Sequence, residues 1–466
     1  MSLSDVRETA FARPGSPAYE RAAAAFNLAA PPRPAAAVTV RTAGQVRAAV
    51  RAAVRAGLPV RVHSTGHAAG AVRPADGALL IRTEPDGGVE VDPVRRTARV
   101  PAGTTWGEVV GAAAPHGLAA AHGSAAGVGV VGYLLGGGVS FYGRSTGLAV
   151  NTVRAIELVT ADGESVRADA GREPELFWAL RGGGGGFGVV TAVEIALFPV
   201  ARVVTGASYW SAAHARPLLD RWLAWTRHAP REATTSLRLM NLPPVPGVPP
   251  QLAAGPVLCV DGAVLARREE DTATAHATAA ALLGPLREIA EPLLETWAAT
   301  GPTGVLEAHM DPAEPVPFVG DHLLLRELDD AGAEAFLGAV GAGSGSPLAV
   351  ATLRQLGGAF AASRPEGGAL SAVDAAYAYM GSGPPFGPVT VRSLHGHCDT
   401  VRAALAPWNT GHTLPSLVEG HGRPQRHLDE ERAAAVARVR ARVDPHGVFA
   451  GDVAPGALGP ARRAPR

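Results

Sequence analysis

The chain has 466 residues, of which 47% are hydrophobic, so it is long enough for two or three domains that each bury a core. Its 42 basic residues balance 42 acidic ones, so the chain has no net charge that would attract nucleic acid or an anionic membrane. We therefore expect a small-molecule substrate and neither a nucleic-acid nor a membrane partner. None of its residues is lysine, which excludes a Schiff-base lysine and the lysine of a Walker A phosphate loop.

The two cysteines, Cys259 and Cys398, cannot form a disulfide framework and belong to no metal-ligand pattern, so we expect both to be buried. Residues 1–16 contain acidic side chains and lack the apolar centre of a signal peptide. No stretch reaches the roughly 18 apolar residues of a membrane span. We therefore expect a soluble cytoplasmic protein, and its oligomeric state stays open.

The first predicted elements are a strand, a helix and a strand over residues 38–64. Val46, Val50 and Val54 lie at helical spacing, and Gly57 ends the helix. Residues 78–100 then predict short strands separated by turns, and a helix follows from Trp106 to about His116. This part of the chain mixes small sheets with helices.

Two glycine-rich segments follow, at residues 128–151 and 181–190. Glycine weakens regular elements, so this many glycines indicate that the backbone closely approaches a phosphate or a ring system. The first segment, which contains GGGVSFYG, does not match the GxGxxG dinucleotide fingerprint. A Rossmann domain is therefore disfavoured.

Beyond about Ala201, longer amphipathic helices alternate with strand-like runs, a pattern typical of a sheet backed by helices. We predict that this second domain extends to about Pro407. Residues 426–443 predict a final helix with Val436, Val439 and Val443 on one face.

Three segments, in this order and spacing, carry a family resemblance: VRVHSTGHAAG, HGSAAGVGVVGYLLGGGVSFYGRSTGLAVNTV and ELFWALRGGGGGFGVV. Together they resemble the FAD-binding domain of the vanillyl-alcohol oxidase-type and berberine bridge enzyme-like flavoproteins. The resemblance covers nearly the whole chain, because LRQLGGAFA and RVRARVDPHGVF are similar to later parts of the same family.

The resemblance implies an α+β fold with three parts. Residues 1–200 would form a PCMH-type FAD-binding domain of two α/β subdomains, and residues 201–407 a substrate-binding domain whose antiparallel sheet is backed by helices. Residues 408–466 would form a C-terminal berberine-bridge-like segment that returns to the FAD domain.

The resemblance also implies FAD as the cofactor, with a covalent bond from His67 to the flavin 8α-methyl. Ala125 stands where many members carry a cysteine bonded to flavin C6, so a single covalent link is predicted. By motif match, the residues implied to contact FAD are Val62, His63, Ser64, Thr65, Gly66, His67, Ala68, Gly123, Ser124, Val128, Gly129, Gly132, Tyr133, Gly136, Gly137, Gly138, Tyr142, Asn151, Val153, Gly185, Gly188 and Val189.

The activity implied by the resemblance is hydride transfer from a small, secondary-metabolite-like substrate to flavin N5, with O2 as the electron acceptor and H2O2 as product. Val128 matches a position where a small valine accompanies oxygen reactivity, which favours an oxidase. Two alternatives stay open. One is a dehydrogenase or resistance-type oxidoreductase that does not use O2, and the other is a flavin-holding ligand binder or non-redox cyclase.

One departure from the family concerns the catalytic base. Many members carry an Asn-Tyr or Asn-Phe pair where this chain has Ser416-Leu417. The remaining candidates are Glu419, which we favour, then Tyr379 with its neighbour Tyr377, and Tyr142. His395 and His397 lie two residues apart with no third ligand in view, so we expect no metal site.

Overall fold

The computed structural model describes residues 11–244, 247–449 and 451, so residues 1–10 and 452–466 of the predicted first and last parts lie outside the described residues. The elements of the N-terminal part are α1 (Pro17–Ala23), β1 (Ala36–Val40), α2 (Ala43–Arg55), β2 (Val60–His63), β3 (Leu79–Thr83), β4 (Glu90–Asp92), β5 (Thr97–Pro101), α3 (Trp106–Ala113), β6 (Leu118–Ala119), α4 (Val130–Leu135), α5 (Gly143–Thr146), β7 (Val153–Val159), β8 (Ser165–Asp169), α6 (Pro174–Leu180), β9 (Val189–Ala196) and β10 (Phe198–Pro199).

The chain opens with a small parallel sheet in the order β1-β3-β2. Helix α2 connects β1 to β2, and Thr42 caps it by accepting a hydrogen bond from the Gln45 N–H. Val46 and Val50 are buried as their spacing predicts, whereas Val54 is 43% exposed. The end of β2 leads directly into the first predicted cofactor loop.

An antiparallel sheet in the order β4-β5-β9-β7-β8 completes the N-terminal part. Its strands β7 and β9 lie next to each other although the second glycine-rich segment separates them in sequence. Helix α3 packs beside this sheet and buries Trp106 completely. Helix α4 also contacts β9, so the turn before α4 and the turn before β9 belong to one packed unit.

A larger antiparallel sheet and its helices form the second part. The elements are β11 (Arg202–Ser211), α7 (Ala215–Thr226), β12 (Ala233–Met240), α8 (Pro250–Ala253), β13 (Val257–Ala266), α9 (Thr272–Arg287), β14 (Leu294–Glu295), β15 (Ala298–Thr300), β16 (Val319–Leu325), α10 (Asp330–Val340), β17 (Val350–Gln355), β18 (Tyr377–Gly383) and α11 (Val391–Ala404). The strand order is β14-β11-β13-β12-β17-β18-β16, with β15 paired to β11.

The two faces of this sheet differ in chemistry because successive side chains of a strand point to opposite sides. Leu237 and Leu239 of β12 pack into an apolar core with helices α7, α10 and α11. Arg238 and Met240, from the same strand, line a cavity on the other face. One face therefore supplies stability and the other is available for a ligand.

The C-terminal residues return to the N-terminal part. Helix α12 (Glu430–Val443) packs against α6, and Val436 and Val439 are buried. Before it, the Ser416 N–H donates to the Gly136 carbonyl at 3.1 Å, and the His421 N–H donates to the Gly70 carbonyl at 2.6 Å. This segment thus touches the first glycine-rich segment and the loop that follows β2.

The predicted α+β class is confirmed: a mixed N-terminal part is followed by an antiparallel sheet backed by helices. Within the described residues, no helix is both long and apolar enough to span a bilayer. Cys259 and Cys398 are both buried and unpaired, as expected.

Candidate cofactor and substrate site

A cavity of about 1540 Å³ lies between the glycine-rich loops of the N-terminal part and the polar face of the large sheet. Single small-molecule pockets usually measure about 300–1,000 Å³. This cavity therefore has room for a large cofactor together with a second, smaller molecule.

The first wall of the cavity is the loop after β2, residues 64–70. Gly66 has a φ of 75°, and a Cβ there would lie 2.6 Å from the Ala25 Cα, so only glycine fits this turn. Among the described residues, none accepts a hydrogen bond from the main-chain N–H groups of residues 65–68. Free amide donors along one loop suit an anion such as a pyrophosphate.

His67 is held in one orientation within this loop. Its Nδ1 lies 2.8 Å from the Thr65 Oγ1, and its ring stacks on Phe26 with centroids 3.8 Å apart. Its Nε2 is buried without a partner. Burial lowers the pKa of His67 to about 4, against an opposing effect of Asp311, so the imidazole is neutral and nucleophilic near pH 7.

The second wall comes from residues 123–136. A Cβ on Gly129 would collide with the Ser64 Oγ, and a Cβ on Gly136 would lie 2.8 Å from the Ser416 N. Both glycines therefore permit close contact between loops. Tyr133 lines the cavity beside them, and its hydroxyl is buried without a partner.

The third wall is the glycine run before β9. Gly184, Gly185 and Gly186 have φ values of 81°, 75° and 81°, which residues with a side chain rarely adopt. Arg440 of α12 holds this run by donating to the carbonyls of Gly183 (3.0 Å) and Gly185 (2.9 Å). The C-terminal helix thus fixes one end of the cavity.

Most of the residues predicted to contact a cofactor line this one cavity. They are Val62, His63, Ser64, Thr65, Gly66, His67, Ala68, Gly123, Ser124, Val128, Gly129, Gly132, Tyr133, Gly136, Gly185 and Gly188.

Six other predicted contact residues are absent from the cavity lining: Tyr142, which is described below, and five residues that support the loops from behind. Gly137 and Gly138 pack against Leu370 and Tyr133, and the Asn151 amide donates to the Ser371 carbonyl. The side chains of Val153 and Val189 are buried in β7 and β9.

The structure corrects the position of the three candidate catalytic tyrosines. Tyr142 is buried in the N-terminal core against His122 and Phe198, away from the cavity. Tyr379 lies on the helix-facing side of β18 against Phe336, and Tyr377 on the same side donates to or accepts from Thr226. Because strand side chains alternate, these two tyrosines point away from the cavity, and Met380 between them lines it.

Glu419 does line the cavity. The Gly70 Cα is close enough that an added Cβ would lie 3.0 Å from the Glu419 carbonyl oxygen, so the residue sits beside the loop that carries His67. Burial raises the pKa of Glu419 to about 8. A carboxyl group with this pKa exchanges a proton near neutral pH, as a general base must.

The sheet side of the cavity carries charged groups that no sequence motif marks. Arg238 Nε lies 2.7 Å from the Asp261 Oδ2, and His309 Nδ1 lies 2.8 Å from the same oxygen. Burial raises the pKa of Asp261, but Arg238 and His309 outweigh this effect and lower it. Arginines at alternate positions of the apolar runs SLRLM and TLRQL were the available signal.

A turn at Met310 brings Asp311 into the cavity. Met310 has a φ of 52°, which is strained for a residue with a side chain. The Arg238 guanidinium donates to the His309 carbonyl at 2.8 Å, and the Tyr209 hydroxyl contacts the Met310 Sδ at 2.9 Å. Asp311 Oδ2 is buried without a partner, so this turn places an unsatisfied carboxyl oxygen at the cavity wall.

These features fit FAD. The free main-chain amides suit the pyrophosphate of FAD, and the glycines leave space beside the backbone for the rest of the cofactor. The His67 Nε2 and the Tyr133 hydroxyl are buried without partners and can contact polar atoms of FAD. In the described part of the chain, no group of three His, Cys, Asp or Glu side chains could hold a metal ion.

Comparisons with known proteins agree with this fit. Residues 34–169 match the family model described as FAD binding domain. The chain is 36% identical over 180 residues to (R)-6-hydroxynicotine oxidase of Paenarthrobacter nicotinovorans, and this match spans 38% of the chain and 39% of the relative. The sequence match thus extends over less than half of that relative's length.

Solved structures match over a greater length. BBE-like 1 of Physcomitrella patens superposes with a TM-score of 0.78 at 20% identity, covering 96% of both chains. Glucooligosaccharide oxidase of Acremonium strictum, described with a 6-S-cysteinyl, 8α-N1-histidyl FAD, superposes with a TM-score of 0.75 at 21% identity. The match covers 97% of this chain and 98% of that one. Residues 34–169 thus match a model of an FAD-binding domain, and the chain has the same overall fold as BBE-like 1 of Physcomitrella patens.

Proposed function

We propose that this chain is an FAD-dependent oxidase of a small, secondary-metabolite-like substrate, with FAD tethered through a single bond to His67. This proposal depends mainly on one observation: the loop of His67, Glu419 and the polar face of the large sheet all line the same cavity. Its volume of about 1540 Å³ leaves room for a substrate beside the cofactor.

The residues that would hold FAD are the loop amides at 65–68 and the glycines of the other two walls. Bound FAD supplies a two-electron acceptor that takes a hydride from a substrate C–H next to oxygen or nitrogen and is reoxidised by O2. The chain's own residues orient the substrate, exclude water and accept the proton.

Glu419 is the proposed base. As the carboxylate it accepts the proton that the substrate hydroxyl or amine loses as the C–H bond breaks. With a pKa of about 8, only part of the Glu419 population is ionised at neutral pH, so we expect turnover to rise with pH through this value.

Single attachment is supported by Ala125, which lines the cavity where a second, cysteinyl link would need sulfur. The neutral, stacked His67 is a competent nucleophile for the other link. Val128 lines the same cavity and supports O2 as the acceptor. Photoreduced protein should reoxidise rapidly in air, whereas slow reoxidation would favour a dehydrogenase.

The first test is acid precipitation of the purified yellow protein, followed by mass spectrometry of the peptide that contains His67. We expect flavin in the pellet and an FAD-sized adduct on His67. Flavin released wholly into the supernatant would contradict the tether, and a colourless protein would contradict FAD binding.

The second test examines Glu419→Gln. We expect FAD to be retained and the rate of anaerobic flavin bleaching to fall by about 10²–10⁴-fold. Glu291→Gln, which changes an exposed glutamate outside the cavity, is the matched control. Unchanged bleaching in Glu419→Gln would remove Glu419 from the mechanism.

A further inference from the structure

Arg354 is a buried cation on the cavity wall, and no described residue forms a hydrogen bond or ion pair with its side chain. It is 3% exposed, it lines the cavity, and its Nε is buried without a partner. Its guanidinium carbon lies 3.9 Å from the centre of the Phe141 ring. A buried guanidinium without a hydrogen-bond acceptor is costly, which indicates that an acceptor group of a ligand completes this site.

The neighbouring charges do not fill this role. Asp261 is already engaged by Arg238 and His309. Asp311 faces the same cavity and acts on Arg354 electrostatically, but no hydrogen bond or ion pair joins the two side chains. Glu419, with its raised pKa of about 8, is mostly neutral at pH 7 and does not compete for the guanidinium.

The surroundings of Arg354 suit a planar anion. Thr352, two residues earlier on β17, lines the cavity from the same face and adds a hydroxyl group. A guanidinium donates two parallel hydrogen bonds to a carboxylate, a geometry that neutral amides and alcohols cannot match in strength.

We propose that Arg354 binds a carboxylate group of the substrate, so that the substrates of this chain are small carboxylate-bearing molecules. This inference rests on the proposed function, because it takes the cavity volume left beside FAD as the substrate site. It adds a substrate class that the loops and the cofactor do not specify.

The test measures binding to the FAD-loaded protein by isothermal titration calorimetry with three matched pairs of probes: acetate and acetamide, benzoate and benzamide, and phenylacetate and phenylacetamide. We expect at least one carboxylate to bind more tightly than its amide. Arg354→Gln should weaken the binding of that carboxylate by on the order of 10- to 100-fold and leave the binding of the amide unchanged.

Arg354→Lys should restore part of the carboxylate affinity. Arg267→Gln is the matched control, because Arg267 also lies over an aromatic ring, that of Phe198, but outside the cavity. If no carboxylate binds wild-type protein more tightly than its amide, the inference is wrong, and this result needs no variant to fold.

Two further outcomes are distinguishable. Wild-type protein that carries no FAD contradicts the proposed function itself. An altered flavin spectrum and reduction potential in Arg354→Gln, with the carboxylate preference unchanged, would overturn the inference alone by assigning Arg354 to the cofactor.

Discussion

The ring of Phe26 stacks on the imidazole of His67, with centroids 3.8 Å apart and planes within 11° of parallel. The stack is held by the backbone, because the Phe26 N–H donates to the Thr65 carbonyl at 2.9 Å and the Asn27 N–H donates to the Gly66 carbonyl at 3.4 Å. The segment before β1 therefore fixes the plane of the proposed attachment residue.

Phe26→Leu should slow covalent attachment of FAD. A stacked pair contributes about 0.5–1.5 kcal/mol, so without it we expect the attachment rate to fall by roughly 2- to 10-fold. Apoprotein is mixed with FAD, and acid-stable flavin is followed over time. Phe386→Leu, at an exposed phenylalanine, is the control. Equal rates in all three proteins would contradict an orienting role for Phe26.

Ala125→Cys should create a second attachment point, because Ala125 lines the cavity. We expect the double variant Ala125→Cys with His67→Ala to keep flavin in the acid pellet, whereas His67→Ala alone releases it. Ser124→Cys with His67→Ala controls for thiol reactivity at the adjacent cavity residue. Release of all flavin from the Ala125→Cys double variant would show that residue 125 does not face the reactive ring atom.

The stability of the chain should depend on pH through Glu419. Its folded pKa of about 8 lies above the unfolded value of about 4.3, so folding holds a proton that the unfolded chain releases. This contribution is complete below the unfolded pKa and is lost as pH rises to about 8. The stability of Glu419→Gln relative to wild type should therefore increase between pH 5 and pH 8 and then level off.

The comparison uses urea unfolding of both proteins without FAD at several pH values. We expect the difference to reach a few kcal/mol at most, since the shift is several pH units. Glu291→Gln, at an exposed site, should show no such trend. A constant difference across pH 5–9 would mean that Glu419 titrates normally.

Asp321 links three parts of the chain. From β16, its Oδ1 lies 2.7 Å from Arg402 of α11, and its Oδ2 accepts from Arg423 of the C-terminal segment. Burial raises the pKa of Asp321, but the hydrogen bonds from the two arginines outweigh burial and lower it. Asp321→Asn should destabilise the protein by about 3–5 kcal/mol, because two guanidinium groups lose their shared carboxylate.

The stability that Asp321→Asn loses relative to wild type should be largest at pH 7 and shrink as pH falls below about 3.9, because the unfolded wild-type chain then binds a proton that folding must remove. Thermal unfolding at pH 7 and pH 3 measures it. Asp220→Asn, which removes an exposed pair with Arg216, should change stability by less than about 1 kcal/mol. An equally small effect of Asp321→Asn would contradict the structural role of the buried cluster.

The sequence by itself determined the cofactor loops. Residues 62–68, 123–136 and 185–188 are short contiguous motifs, and a motif of this kind carries its own turn geometry through its glycines. The α+β class and the helix that ends at Val443 were predictable for a similar reason, since periodicity is a local property.

Only the tertiary structure decided which residues form the sheet side of the cavity, where we place the substrate. Periodicity separates the two faces of β18 but does not say which face meets the cavity, so Tyr379 was misplaced and Met380 was overlooked. The site formed by Arg238, Asp261 and His309 combines residues from separate segments. The unpaired state of Arg354 and the raised pKa of Glu419 likewise arise from desolvation, which depends on what the folded chain packs around each group.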